Sequence, residues 1–551
     1  VEASELVAKV IVNEGVRSVF ALPSGEILPL CEHLRDEGVN VIFARHEQAV
    51  GNMAEGYARV TRNAGVAIVP TGPGLASLMP ALAQAYYSGS PIVAISGHSK
   101  FENLDRNAFE EIEGARWVER YVKWSKMPIF PERLHEYVQE AFRHALSGKF
   151  GPALLEIPKD VLNAEVENDV ELAPPERYRY TGRIVCESRF FDRAIEMLNS
   201  AEKPVIVAGS GVYWSGAEEE LRMLAERLSI PVAVNGMAFG TIPTTHPLYA
   251  GPAPGNVLLK EADLVMVIGT RLDDFLGFGV GLFSDEARII QVDIDWSQIG
   301  KNRYVDLGVV SDAKAFLSGL LERANGIKRF DYWAKEFGEM AKGMMEMLVR
   351  PASENGMLKP QEMMLELSSL ITRDDIVVLD GGETTAWGLL LLKAERAGNV
   401  FNSQGELGHL GAGVPMGIAA KSAFPEKRVF VVTGDGSFLF NGVEIETAVR
   451  HELPIIVIVA NDSAWGMVCH TRYLSTGSKE RACFGTLLNE NARYDKFAES
   501  LGAYGELVEK KGELTEAIRR AVESGMPAVI DVRISREEMS PLAYMLSGVE
   551  G

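Results

Sequence analysis

The 551 residues, 47% hydrophobic and 24% charged, suffice for several globular domains and do not suit a fibrous or disordered chain. The formal charge of −21 argues against nucleic acid or an anionic membrane as partner, yet leaves anionic substrates open because a local site can still be positive. Cys31, Cys186, Cys469 and Cys483 show no metal-ligand spacing, which suits a reduced cytoplasmic setting, and no apolar run reaches the ~18 residues of a membrane span.

The N-terminal stretch VEASELVAKVIVNEGV is expected to be an amphipathic helix carrying Glu2, Glu5 and Lys9, not a signal peptide, and the missing Met suggests a trimmed start. In Phe43–Arg59, FARHEQAVGNMAEGYAR, Glu47 opens a helix whose Val50, Met53, Ala54 and Tyr57 form an apolar face. Val66–Gly97 reads as strand, Thr71-Gly72-Pro73-Gly74 turn, helix and a second strand after Pro91. The strand Ala153–Ile157 closes a first unit, residues 1–166, and the polar linker Glu167–Gly182 follows.

A middle unit, residues 183–325, alternates strands PVIVAG, IPVAVN, DLVMVIG and RIIQVDID with helices. Gly209-Ser210-Gly211 follows a strand, but Trp214 stands where G-x-G-x-x-G needs Gly, so a plain turn is favoured. A helical, Met-rich stretch ending near Pro351 leads to the third unit, residues 355–540.

Arg428–Met467 carries the most chemistry. Val429–Val432 is a strand ending at Thr433-Gly434; Ser437 begins a helix whose Val443, Ile445, Ala448 and Val449 face inward; Pro454 resets the chain for the buried strand Ile455–Val459. Asp435 and nearby backbone N–H groups thus sit at a helix N-terminus, where phosphate binds well, and Asn461-Asp462 lie beside them. Hard oxygen ligands next to a diphosphate describe a Mg²⁺ site. Thr71–Gly74 aligns with Thr433–Gly436, so the first and third units are expected to share one topology, with only the later copy keeping the Asp.

The Gly434-Asp435-Gly436 turn followed by Asn461-Asp462, together with the RHEQ…MAEGYAR block, resembles the thiamine diphosphate (ThDP) enzymes of the acetolactate synthase-like group. Benzaldehyde lyases and 2-hydroxyacyl-CoA lyases are relatives there. The resemblance runs from about Leu6 to Ile534. It implies an α/β fold of three domains of mostly parallel sheet covered by helices: pyrimidine-binding and diphosphate-binding domains flanking a Rossmann-like middle domain. It gives Glu47 the catalytic role of hydrogen-bonding the cofactor's aminopyrimidine N1′. Asp435 becomes a Mg²⁺ ligand, with Asp462 favoured over Asn461 as the second and Ala464 adding a backbone carbonyl. Gly434, Gly436 and Ser437 would meet the diphosphate, Gly408 the 4′-amino group, Leu410 the bent cofactor, and Met467 the same cavity. Candidate substrate residues are Glu26, His98, Phe109, Glu110 and Thr471, several of which replace residues usual in acetolactate synthases. Glu383 and Thr384 replace a Gln and a His, and Phe275 an Arg of the loop Gly269–Gly279, leaving FAD or ADP in the middle domain open. The resemblance implies a homodimer or homotetramer, because Glu47 and the Gly-Asp-Gly turn come from different subunits. The expected reaction is decarboxylating carboligation of pyruvate or another small 2-oxo acid. The alternatives are a C–C lyase for a 2-hydroxy carbonyl or 2-hydroxyacyl-CoA substrate, or oxalyl-CoA decarboxylation, and, outside catalysis, a nucleotide-binding relative.

Overall fold

The computed structural model describes residues 1–167, 171–252, 257–348 and 356–547. Pro351, the start of the third unit at residue 355 and part of the first linker lie outside the described residues. Eighteen strands form three six-stranded sheets, and every pairing within them is parallel. The first holds β1 (Ser18–Ala21), β2 (Asn40–Phe43), β3 (Gly65–Val69), β4 (Ile92–His98), β5 (Trp124–Lys126) and β6 (Pro152–Pro158). The second holds β7 (Pro204–Ala208), β8 (Val232–Val234), β9 (Tyr249–Pro252), β10 (Leu264–Ile268), β11 (Arg288–Asp293) and β12 (Leu307–Val310). The third holds β13 (Ile376–Asp380), β14 (Val400–Asn402), β15 (Val429–Gly434), β16 (Ile456–Asn461), β17 (Tyr504–Val508) and β18 (Ala528–Arg533).

The first sheet runs β2-β1-β3-β4-β6-β5 and the third β14-β13-β15-β16-β18-β17, the same order strand for strand. Thr71–Gly74 leaves β3 as Thr433–Gly436 leaves β15, so the sequence repeat is a repeat of topology. Parallel strands need crossover helices on both faces, which is why β3, β4, β6 and β13 are buried along their whole length and read as apolar runs. Strands β9 and β12 are not legible in the sequence. Both are short edge strands; β9 carries Gly251-Pro252, and Val310 of β12 faces outward.

The helix after β15 begins at Asp435, two residues earlier than the sequence suggests, and gives way to a 3₁₀ turn, Gly442–Glu444, before resuming at Ile445. The tighter turn rotates Val443 outward, to 45% exposure, while Ile445 and Ala448 stay buried. The first and third domains share one core. Helix Glu47–Thr61 lies on helix Gly413–Ala423, and a Cβ on Gly56 would stand 2.6 Å from Met416 Cα. Only glycine permits that approach.

Candidate active site

The carboxyl ends of β13, β15 and β16 open into a cavity of about 430 Å³. Gly408, Leu410, Gly434, Asp435, Gly436, Ser437, Asp462, Ala464 and Met467 all border it. Asp435 is buried; its Oδ1 accepts from the Gly436 N–H at 2.9 Å, and no hydrogen bond reaches its Oδ2. Asp462 stands beside it and accepts from the Ala464 N–H at 3.0 Å. Burial, then the Asp462 carboxylate, raises the pKa of Asp435, and burial raises that of Asp462. A buried and a half-buried carboxylate side by side, with an unused oxygen, are a donor set that a divalent cation satisfies. Asn461 is spent elsewhere: its Nδ2 donates to Asp531 Oδ1 at 2.8 Å, and its Oδ1 accepts from the Ser463 N–H and Oγ at 3.2 Å each. Among the described residues no group of three His, Cys, Asp or Glu side chains could hold a metal.

The surrounding loops are fixed by groups with little sequence signature. Gly436 passes so close to Trp465 that a Cβ would meet the indole at 2.8 Å. Ser437 Oγ donates to the Gly434 carbonyl at 3.2 Å. Asp380, buried at the end of β13, accepts from the Gly411 and Gly413 N–H groups at 3.2 and 3.1 Å and so holds the loop bearing Gly408 and Leu410; burial pushes its pKa up to about 6. Arg59 reaches the same loop from the first domain, donating to the Asn402 carbonyl at 2.5 Å. His470 also borders the cavity. Its Nδ1 lies 2.6 Å from Glu383 Oε1 and its Nε2 2.7 Å from the Arg536 carbonyl, while the Ser540 N–H donates to Glu383 Oε2 at 3.0 Å. Burial works to lower the His470 pKa, but the Glu383 hydrogen bond and charge outweigh it and the net shift is upward. Thr471 does not border the cavity; its hydroxyl donates back to the Met467 carbonyl at 2.9 Å. The helical step of three from Met467 to His470 was the available clue.

The first-domain candidates form a separate group. Glu47 is half-buried at the start of its helix, where His46 caps by accepting from the Gln48 N–H at 3.1 Å. Glu26, at the end of β1, accepts from Thr71 N–H and Oγ1 at 3.2 and 2.8 Å; burial raises its pKa, but these hydrogen bonds prevail and lower it. His98, at the end of β4, is buried, its ring nitrogens 3.0 Å from the Ser99 carbonyl and 3.2 Å from that of Ile112. Glu110 has φ +64° and lays its carbonyl over Gly72, whereas Phe109 is 86% exposed. None of these five borders the cavity of Asp435 in the same chain.

Three thiamine pyrophosphate enzyme families match in order: the N-terminal TPP binding domain over residues 1–116, the central domain over 191–320 and the C-terminal TPP binding domain over 380–532. The chain is 32% identical to the probable acetolactate synthase large subunit of Methanocaldococcus jannaschii, over 98% of this chain and 93% of that protein. It is 32% identical to an acetolactate synthase large subunit of Mycobacterium tuberculosis (96% and 95% covered) and 33% identical to that of Corynebacterium glutamicum (94% and 84%). The chain belongs to the ThDP-dependent enzymes, in the acetolactate synthase-like group. The Asp435 cavity therefore lies in a C-terminal TPP binding domain, and Glu47 in an N-terminal one.

The central domain of this ThDP enzyme has its own crevice. Its sheet order, β12-β11-β10-β7-β8-β9, reverses direction between β7 and β10, where open parallel sheets bind ligands. A cavity of about 490 Å³ opens there toward the N-terminal domain, bordered by Lys149, Gly211, Arg271 and Asp293. Gly211 and Gly269 touch backbone to backbone, since a Cβ on Gly211 would lie 2.7 Å from Gly269 Cα. That contact packs a strand-to-helix junction rather than the expected plain turn, since the helix Ser210–Trp214 starts directly after Gly209. Burial pushes Asp293 up to about 6.

Proposed function

We propose that this enzyme is a ThDP- and Mg²⁺-dependent carboligase that decarboxylates pyruvate or another small 2-oxo acid and joins the retained fragment to a second carbonyl compound, as its acetolactate synthase relatives are named for doing. The carrying observation is Asp435: buried at a helix N-terminus, one oxygen without a hydrogen bond, a second carboxylate beside it, inside a cavity of a TPP binding domain. Asp435, Asp462 and the Ala464 carbonyl would hold Mg²⁺, whose remaining positions suit diphosphate oxygens. Gly434, Gly436 and Ser437 would meet the diphosphate, Gly408 and Leu410 the pyrimidine side, and Met467 the opposite wall. When bound, ThDP supplies a carbon nucleophile and an electron sink. Glu47 of a second chain would hydrogen-bond the aminopyrimidine N1′, so the working unit would be a homodimer or a homotetramer built from it. The first-domain group Glu26, His98, Phe109 and Glu110 would come to the substrate across that same interface. We place the enzyme in the cytoplasm, and FAD or ADP in the central crevice, where Lys149 and Arg271 offer charge to a diphosphate.

A C–C lyase acting on a 2-hydroxyacyl-CoA or an aromatic 2-hydroxy ketone is the second reading. It is favoured by the apolar reach of the Asp435 cavity past Trp387 to Met363, Met364, Leu390 and Leu542, deeper than pyruvate needs. Calorimetry with ThDP and Mg²⁺ tests the cofactor reading: saturable binding that Asp435→Ala abolishes is expected, and binding untouched by that change would overturn it. Turnover of a panel of pyruvate, 2-oxobutyrate, benzoin and a 2-hydroxyacyl-CoA decides between the two reactions, and a yellow protein would identify flavin.

A further inference from the structure

Cys469 and Cys483 are fourteen positions apart in sequence and adjacent in space. Cys469 sits in the first turn of helix Gly466–Thr476, the helix that carries Met467 and His470 to the cavity, and Cys483 ends the short helix Lys479–Cys483. A ladder of backbone hydrogen bonds brings them together. The Cys469 N–H donates to the Trp465 carbonyl at 2.9 Å, the Trp465 N–H to that of Thr486 at 2.7 Å, and the Thr486 N–H to that of Cys483 at 3.4 Å. The Cys469 thiol consequently neighbours both Cys483 and the Thr486 side chain. Both cysteines are free and partly exposed. The other two cannot join them: Cys31 is buried in the first domain, where burial pushes its thiol up to about 12, and Cys186 lies against Ser311 in the central domain.

We propose that Cys469 and Cys483 are a redox modification site, closed by a hydroperoxide into a reversible disulfide that clamps the cofactor-facing helix. One thiolate attacks the peroxide, the O–O bond breaks, and a sulfenic acid and an alcohol (or water) form. The second thiol then displaces water from the sulfenic acid to give the S–S bond, so the pair loses two electrons and two protons and the peroxide gains them. Burial, more than the neighbouring Cys483, raises the Cys469 thiol pKa, which suits Cys469 to the second step and leaves the attack to Cys483. A disulfide holds its two sulfurs at about 2.05 Å, so closing the bond draws the two helices together. The strain falls on the first turn of Gly466–Thr476, between Asp462 and His470, and on the Ala464–Leu487 bridge beside it. Oxidation should therefore move Met467, His470 and the Ala464 carbonyl together.

The full-length enzyme, treated with hydrogen peroxide and then alkylated under denaturing conditions, should fall from four free thiols to two, with a peptide pair joining Cys469 to Cys483 in the non-reduced mass map. ThDP-dependent activity should drop by about a hundredfold, the scale of a 1 Å misplacement near the chemistry, and return with dithiothreitol. C469S and C483S should keep their basal activity and resist peroxide. Four thiols remaining, a crosslink between other cysteines, or equal inactivation of C469S would each overturn the proposal. The activity arm rests on the ThDP reading, but the thiol count and mass map need no cofactor, so the two can fail separately.

Discussion

Arg59 and Glu55 are the sharpest test of how the N-terminal domain holds the cofactor loop. Arg59 is fully buried, its Nη2 donates to Glu55 Oε1 at 2.6 Å, and its Nη1 reaches the Asn402 carbonyl at the root of the loop carrying Gly408 and Leu410. Glu55 also accepts from Ser90 Oγ at 2.9 Å, and burial, opposed by Arg59, raises its pKa. Arg59→Met keeps the stem's volume and strands the carboxylate, which costs about 3–5 kcal/mol for a broken buried pair. Adding Glu55→Gln removes the charge that Arg59 balanced. The unpaired Asn402 carbonyl then accounts for the residual loss, about 1–3 kcal/mol. The double variant should therefore unfold at higher urea than Arg59→Met alone, more stable by about 2 kcal/mol. ThDP affinity should weaken in both, because both free the loop. An Arg59→Met protein within about 1 kcal/mol of the parent, or a double variant no better than the single, would refute the reasoning.

Three further outcomes follow from the same geometry. Gly436→Ala should fold but lose ThDP binding by calorimetry, since its Cβ would press on Trp465 at 2.8 Å and displace the turn. The folded pKa of His470 is raised, so the stability it lends is complete below its unfolded value near 6.5 and is lost as pH rises through the folded one; hydrogen exchange of residues 535–547 should quicken over that window, and His470→Gln should remove the step. Asp435 and Asp462 are raised in the absence of a cation, so the thermal midpoint of metal-free protein should fall as pH climbs above the ordinary carboxylate range, and saturating Mg²⁺ should abolish the fall.

The three-domain α/β plan was legible because both-face burial leaves apolar runs at β3, β4, β13, β15 and β16, and β3, β13 and β15 lead into Gly-rich turns. The repeat was legible for the same reason, as Thr71–Gly74 and Thr433–Gly436 solve one problem, leaving a central strand sharply into a helix. Edge strands β9 and β12 were not, because one exposed flank removes the apolar signal. The roles of Asp380 and Arg59 in the cofactor loop were not legible because the groups they hold there are backbone groups 31 to 343 positions away. Thr471 was chosen by resemblance, and the helix turns its neighbour His470 to the cavity instead.

Glu47 and Asp435 belong to different domains of one chain. Arg59 borders the cavity of its own chain, and Glu47 lies twelve residues back on Glu47–Thr61, about 18 Å away at 1.5 Å per residue. Glu47 does not border that cavity, while its neighbour Gln48 meets the loop bearing Gly408 and Leu410 through His409 at 3.2 Å, so which chain's cofactor Glu47 serves is for complementation to decide. Exposed apolar groups would offer contact faces on both sides: Phe109 and Trp117 on the first domain, Leu439, Phe440 and Phe484 on the third, at 86%, 53%, 53%, 53% and 89% exposure. Complementation tests this directly. Glu47→Gln and Asp435→Ala homodimers should each be inactive. In a hybrid, one site receives both substitutions and the other receives neither. With half the dimers hybrid after subunit exchange, and one of two sites working in each, an equimolar mixture should regain about a quarter of the parent activity. A site built within one chain would regain nothing, and that result would remove the interface from the mechanism.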